Sequence, residues 1–150
     1  MDIARRVKEQ PYWYHRIKLP DGTVTPGWAP ICAEKYALPK DMSGLRVLDI
    51  GAWDGYWTWE ALKRGASEVV AIDDFSDTCG QDIKRYDWET FDICRHAFGF
   101  RTLKDGWWSN DKGQKCLRQA CPIETVTTAD FGVFDIVLCF GTLYLSLIHI

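Results

Sequence analysis

Val47-Leu48-Asp49-Ile50-Gly51-Ala52-Trp53-Asp54-Gly55, followed by Val69-Val70-Ala71-Ile72-Asp73-Asp74, decides the fold. Leu45 to Ile50 is a short apolar run of the kind shown by a strand buried on both faces. A helix is expected next, capped by Asp54 and running to about Arg64, with Trp57, Ala61 and Leu62 on one face and Gly65 as terminator. Glu68 to Ile72 then reads as a second strand, parallel to the first because a helix separates them. Each strand ends in an acidic turn. Asp73 lies about 20 positions beyond Gly51, the interval at which nucleotide-binding βαβ units place a carboxylate against ribose hydroxyls.

Downstream, Asp87 starts another expected helix, with Phe91, Cys94 and Phe98 on one face and Gly99 just past its end. Residues 100 to 115 read as an insertion or surface excursion around Asp105-Gly106-Trp107-Trp108. A third strand is expected within Lys115 to Ile123, and Val133 to Phe140 reads as a fourth, buried strand ended by Gly141. Upstream, residues 1 to 40 are rich in Pro and aromatics and are expected to form a cover over a domain of residues 41 to 150. Asp21-Gly22 signals a hairpin within that cover. Trp28, in Thr25-Pro26-Gly27-Trp28, is expected to pack rather than line a site.

The bulk composition limits the partners. With 150 residues, 47% hydrophobic and eight Trp, the chain has the size and apolar content of one globular domain. The net charge of -3 gives no global pull toward nucleic acid, and the basic clusters at Arg5, Arg6, Lys8 and at Lys112, Lys115, Arg118 read as solvated surface. The six cysteines form no CxxC pair and no zinc-type spacing, so no metal is implied; Cys94 and Cys139 are expected in the core. Without an apolar signal segment or an apolar run of about 20 residues, a cytoplasmic protein with no membrane contact is expected.

The first turn is chemically selective. Gly51-x-Trp53-x-Gly55 lacks two glycines of the dinucleotide fingerprint G-x-G-x-x-G, and Asp49 would place negative charge beside a pyrophosphate. A cationic ligand fits better. S-adenosylmethionine carries a sulfonium and an ammonium group, and Asp73 can accept hydrogen bonds from both ribose hydroxyls. A nicotinamide-dependent oxidoreductase is the rival enzyme, disfavoured by Trp53 and Asp49; a nucleoside-binding module without catalysis is the rival from another class.

The same residues, with Phe134-Asp135-Ile136-Val137-Leu138-Cys139-Phe140-Gly141-Thr142-Leu143-Tyr144, resemble the class I S-adenosylmethionine-dependent methyltransferases, and within them the tRNA wobble-uridine (5-oxyacetate) methyltransferase group. The resemblance spans about residues 46 to 144. It implies an α/β, Rossmann-like three-layer sandwich with a mainly parallel sheet, of which this chain holds about strands 1 to 4 of seven. It implies that Asp49, Gly51 and Gly55, with Ala52 and Asp54 between and beside them, form the methionine-side loop. Asp73, next to Asp74, would hold the ribose, Glu124 would meet adenine, and Phe140 and Gly141 would face the transfer site. Trp53 stands where the family has its middle glycine and is expected to turn outward as a lid.

The implied acceptor is a small molecule or tRNA. Transfer is an in-line displacement that depends mainly on positioning, and a general base is needed only for a protonated acceptor; Tyr144, His15 and Tyr14 are the candidates. Relatives continue past Tyr144 with a His and a further helix, whereas Leu145 to Ile150 is apolar and ends abruptly. The chain therefore reads as a fragment, and His149 is assigned no role. An unpaired fourth strand would leave apolar faces uncovered, so the isolated polypeptide is expected to be poorly soluble or molten. A sharp cooperative melt with monomeric elution would overturn that expectation.

Overall fold

Val47 and Leu48, neighbours in one strand, point to opposite faces of a sheet, and both are buried. Such two-sided burial is what makes the apolar run uninterrupted. The computed structural model describes residues 2–76 and 87–140. Helix α1 (Ile3–Glu9) is followed by a long irregular segment, then β1 (Arg46–Ile50), α2 (Tyr56–Lys63) and β2 (Glu68–Asp73). After α3 (Glu89–Ala97) come β3 (Arg101–Thr102), β4 (Trp108–Ser109), β5 (Lys115–Ala120), α4 (Thr128–Phe131) and β6 (Ile136–Leu138).

These strands form a six-stranded sheet in the order β3-β4-β5-β2-β1-β6. The β1–β2, β2–β5 and β1–β6 pairs are parallel; β3–β4 and β4–β5 are antiparallel. The α/β class and mostly parallel sheet agree with the sequence reading. The third expected strand is β5, inside the stretch 115 to 123. The expected excursion at 100 to 115 is instead an antiparallel meander. Its turns use Asp105 and Gly106, at φ 61 and 79, and Gly113 at φ 77, while Trp108 adds its buried indole to the core.

Chain order explains where the helices lie. The steps from β1 to β2 and from β2 to β5 move in one direction, so right-handed crossovers place α2 and α3 on one face. Trp57, Trp59, Phe91, Ile93 and Cys94 pack there with Val47, Val69 and Ala71. The step from β5 back to β6 reverses direction and carries α4 to the other face, where Val126, Phe131 and Phe134 pack near Leu48, Ile50, Val70 and Ile72. Among the described residues this second face carries one short helix, a thinner layer than the expected sandwich. Cys94 is buried and Cys139 half-buried at this second cluster, while Cys79 lies outside the described residues.

Three expectations change. First, Asp54 does not cap α2: its N-cap is Gly55, at φ 85 and without a side-chain hydrogen bond, because the Asp54 carboxylate is engaged elsewhere. A Cβ at Gly55 would lie 2.6 Å from Trp59 Nε1 and 2.7 Å from the Phe91 ring, so glycine is required there on two counts. Second, the fourth strand is shorter and less buried than expected. Among the described strands β6 is the sheet edge, with Val137 55% exposed; its register is set by Asp135, which accepts from Arg46 N at 2.8 Å and donates its own N–H to Arg46 O. Third, the N-terminal residues are part of the core rather than a cover alone: Trp13, Ile17 and Leu19 pack in the α2–α3 cluster. The hairpin at Asp21-Gly22 is present, with Gly22 at φ 90 and Lys18 bridged to Val24.

Candidate functional site

The reversal of strand order between β1 and β6 creates a crevice outside the carboxyl ends of the parallel strands, the place where open α/β sheets bind ligands. The turn after β1 lies there. Gly51, Trp53 and Gly55 alternate through positive φ values of 72, 53 and 85, and Gly51 and Ala52 donate their N–H groups to Ile72 O at 2.9 and 3.0 Å. The left-handed Trp53 is held by its partners: its N–H donates to Asp73 Oδ2 at 2.8 Å, and its ring stacks on Tyr14 with centroids 4.7 Å apart. Trp53 is 5% exposed. It is thus no outward lid; the N-terminal segment covers it.

Asp73 is buried, and its other oxygen accepts from Phe75 N at 2.7 Å. One carboxylate therefore ties together two left-handed turns at the ends of β1 and β2. Asp74 is exposed and accepts from Ser76 N and Oγ. Asp49, 1% exposed, points to the α2 face and accepts from Thr58 Oγ1 at 2.6 Å. Burial pushes its pKa up to about 6; the Thr58 hydroxyl and nearby His15 oppose the rise, and Asp73 adds to it. Thr58 was not anticipated as a partner, although its place on the first turns of α2, beyond an acidic strand end, is a readable signal.

Asp54 has the least anticipated role. Its Oδ2 accepts from the N–H groups of Tyr14 and His15 at 3.0 and 2.9 Å, and its Oδ1 pairs with His15 Nδ1. The expected cap is instead a clamp on the N-terminal segment. That segment is braced from its other side by Thr25, whose hydroxyl donates to His15 O at 2.6 Å and accepts from Ile17 N. Gly27 lies so close that a Cβ would meet His15 C and O at 2.2 Å. Gly27→Ala is expected to cost about 3 kcal/mol, the upper range for overpacking a fixed backbone. Urea midpoints of the two proteins check this, and equal midpoints would contradict the contact.

The remaining expected residues are spread around the crevice. Phe140, two positions past β6, packs on Trp57 and Tyr36 at 4.3 and 4.9 Å. Glu124 is exposed in a single helical turn, Ile123–Thr125, beyond β5. Trp28 is 49% exposed, more than a packing residue would be, with its indole N–H donating to the Tyr12 hydroxyl at 2.9 Å. Gly141 and Tyr144 lie outside the described residues. A groove of ≈ 650 Å³ lies at the opposite end of the sheet, lined by Arg46, Glu68, Lys115 and Phe131 among others; the Arg46–Glu68 ion pair on its wall places it apart from the acidic turns.

No family model matches this chain, nor does any solved structure. A stretch of 33 residues is 48% identical to the tRNA U34 carboxymethyltransferase of Ectopseudomonas mendocina (strain ymp), covering 22% of this chain and 10% of that protein. The similarity is to methyltransferases. The enzyme of the same name from Stutzerimonas stutzeri (strain A1501) is 46% identical over 33 residues, again 22% of this chain and 10% of the relative. The ribosomal RNA large subunit methyltransferase E of Acidiphilium cryptum (strain JF-5) is 63% identical over 30 residues, 20% of this chain and 13% of the relative. The matched stretch thus spans roughly a tenth of the length of each relative. Among the described residues no helix is long and apolar enough to cross a membrane.

Proposed function

We propose that this chain is the cofactor-binding part of an S-adenosylmethionine-dependent methyltransferase, built on a Rossmann-like sheet, with the cofactor across the carboxyl ends of β1 and β2. The observation that carries this reading is the buried carboxylate of Asp49 at the crevice. It accepts from Thr58 and from no other described residue, and burial holds its pKa near 6. An anion so placed is costly unless a positive charge approaches it. A sulfonium and ammonium ligand supplies that charge, whereas a pyrophosphate would add to the repulsion. The short similarities to methyltransferases support the same reading.

In this arrangement the Gly51–Gly55 turn and the buried Asp49 hold the methionine end, and Asp73 meets the ribose while it braces the Trp53 turn. The cofactor supplies an electrophilic methyl group. The protein contributes alignment of the acceptor and exclusion of water by Trp53, Tyr14 and Phe140. A small molecule or tRNA is the acceptor.

Calorimetry is expected to show binding of S-adenosylhomocysteine and none of NAD. Asp73→Ala is expected to weaken that binding by roughly 10- to 150-fold, the loss of hydrogen bonds to a charged group. Asp73→Asn, which keeps an acceptor for Trp53 N, separates ribose contact from turn integrity. Full affinity in both variants would remove Asp73 from the site.

A further inference from the structure

His15 is buried, yet its imidazole is arranged as a working base rather than as a packed ring. Its Nδ1 lies against Asp54 Oδ1. A carboxylate only accepts, so in the neutral imidazole Nδ1 carries the proton and Nε2 bears the lone pair. Nε2 bonds no described residue. The side chain is 4% exposed, so little water competes for that lone pair. The ring is fixed by Tyr56, stacked at 5.4 Å, by Tyr14 edge-on at 4.6 Å, and by the Thr25 and Gly27 brace behind its backbone.

We infer that His15 and Asp54 form a general-base dyad, in which Nε2 takes the proton of a hydroxyl or ring N–H acceptor while that acceptor's oxygen or nitrogen attacks the cofactor methyl group. The inference rests on the methyltransferase reading above. In the step, a lone pair of the acceptor oxygen or nitrogen forms the new bond to carbon, and the O–H or N–H bond breaks with its electrons left on that atom. The carbon–sulfur bond breaks with its electrons to sulfur, which becomes the neutral thioether, and the proton goes to Nε2. Asp54 is a positioning residue: it fixes the tautomer and stabilises the imidazolium.

The dyad also narrows the acceptor. A carboxylate acceptor is already deprotonated at neutral pH and needs no base, whereas a hydroxyl or ring N–H does. Tyr56 does not compete for the role: burial raises its phenol, and its oxygen accepts from Ala33 N. The charged and titratable groups facing His15 are Asp54 from the turn, Asp49 from β1, Tyr56 from α2 and Tyr14 beside it in the N-terminal segment.

Two measurements on the full chain test this. In the first, diethyl pyrocarbonate modification is mapped by mass spectrometry with and without saturating S-adenosylhomocysteine, with exposed His96 as internal control. His15 is expected to react, and the ligand to slow it at least tenfold while leaving His96 unchanged. No reaction at His15, or reaction indifferent to a ligand that calorimetry shows bound, overturns the dyad. Absence of ligand binding in wild type instead overturns the cofactor reading, and the dyad with it. The second compares transfer of labelled methyl from S-adenosylmethionine into RNA and small-molecule extracts by wild type and His15→Gln. The variant is expected to bind S-adenosylhomocysteine within threefold of wild type, to lose transfer by about 100-fold, and, with S-adenosylmethionine kept saturating at every pH, to lose the acid limb of the pH profile. Equal transfer with the same acid limb overturns the proposal; where an extract holds no acceptor, the modification experiment decides alone. Because Asp54 also holds backbone groups, His15→Gln is the primary variant and Asp54→Asn the secondary one.

Discussion

Asp54→Ala is expected to destabilise the protein by about 3 to 5 kcal/mol, the scale of breaking a buried charged network. The substitution removes the acceptor of Tyr14 N and His15 N and the partner of His15 Nδ1 in one step, while the two His15 donors stay buried and the Tyr14 donor half-buried. An unsatisfied buried donor costs its full desolvation, so the loss exceeds the net worth of the bonds. For a chain of this size the melting temperature should fall by roughly 10 °C. The N-terminal segment should also open to protease near Lys18, because the hydrogen bonds of Arg16, Ile17 and Thr25 reach only partners close by in the chain. Calorimetric melting and timed proteolysis check this. A melting temperature unchanged within about 2 °C, small on the same scale, would mean that the segment is held by its apolar contacts through Trp13, Ile17 and Leu19 rather than by the carboxylate.

The second large effect is a pH dependence centred on Asp49. Its folded pKa, about 6, lies above the ordinary carboxylate value of 3.8, so between these values the folded protein holds a proton that the unfolded chain has released. The stabilising contribution of the protonated form is therefore present in full below about pH 4 and is lost as pH rises through about 6. Two pKa units correspond to about 3 kcal/mol. Asp49→Asn, which keeps an acceptor for Thr58, removes this dependence. The variant should gain about 3 kcal/mol relative to wild type between pH 4 and pH 7.5. Urea denaturation at four pH values reads the difference, and a pH-independent difference would place the Asp49 carboxylate in contact with water. A cationic ligand reverses the sign: affinity for S-adenosylmethionine should weaken about tenfold per pH unit below 6, as the carboxylate takes up a proton.

Much of the scaffold is legible in the chain itself. β1 and β2 are readable because strands buried on both faces need apolar residues at every position, and Gly65 and Gly99 end their helices at φ 98 and 78 because few other residues adopt that conformation. The meander of β3 and β4 is not legible: strands of two residues carry no period, and Trp108 reads equally as surface or core. The apolar run of β6 does not by itself show how much of it is covered; the exposure of Val137 follows from its place at the edge of the described sheet. An apolar strand has the same composition whether one neighbour or two cover it.

The acidic residues mark the boundary most clearly. Local sequence determined that Asp49, Asp54 and Asp73 would gather at the ends of two parallel strands, since alternation and helix length dictate where each strand stops. It could not determine what each carboxylate holds. Asp54 could cap its own helix or reach across about 40 positions to His15, and the choice depends on where the N-terminal segment packs. That segment is positioned by Gly27 against the His15 backbone and by three apolar side chains in a distant core cluster. The physical reason is range. Strand and turn preferences act over a few bonds, whereas a buried carboxylate takes whichever donors the completed packing denies to water.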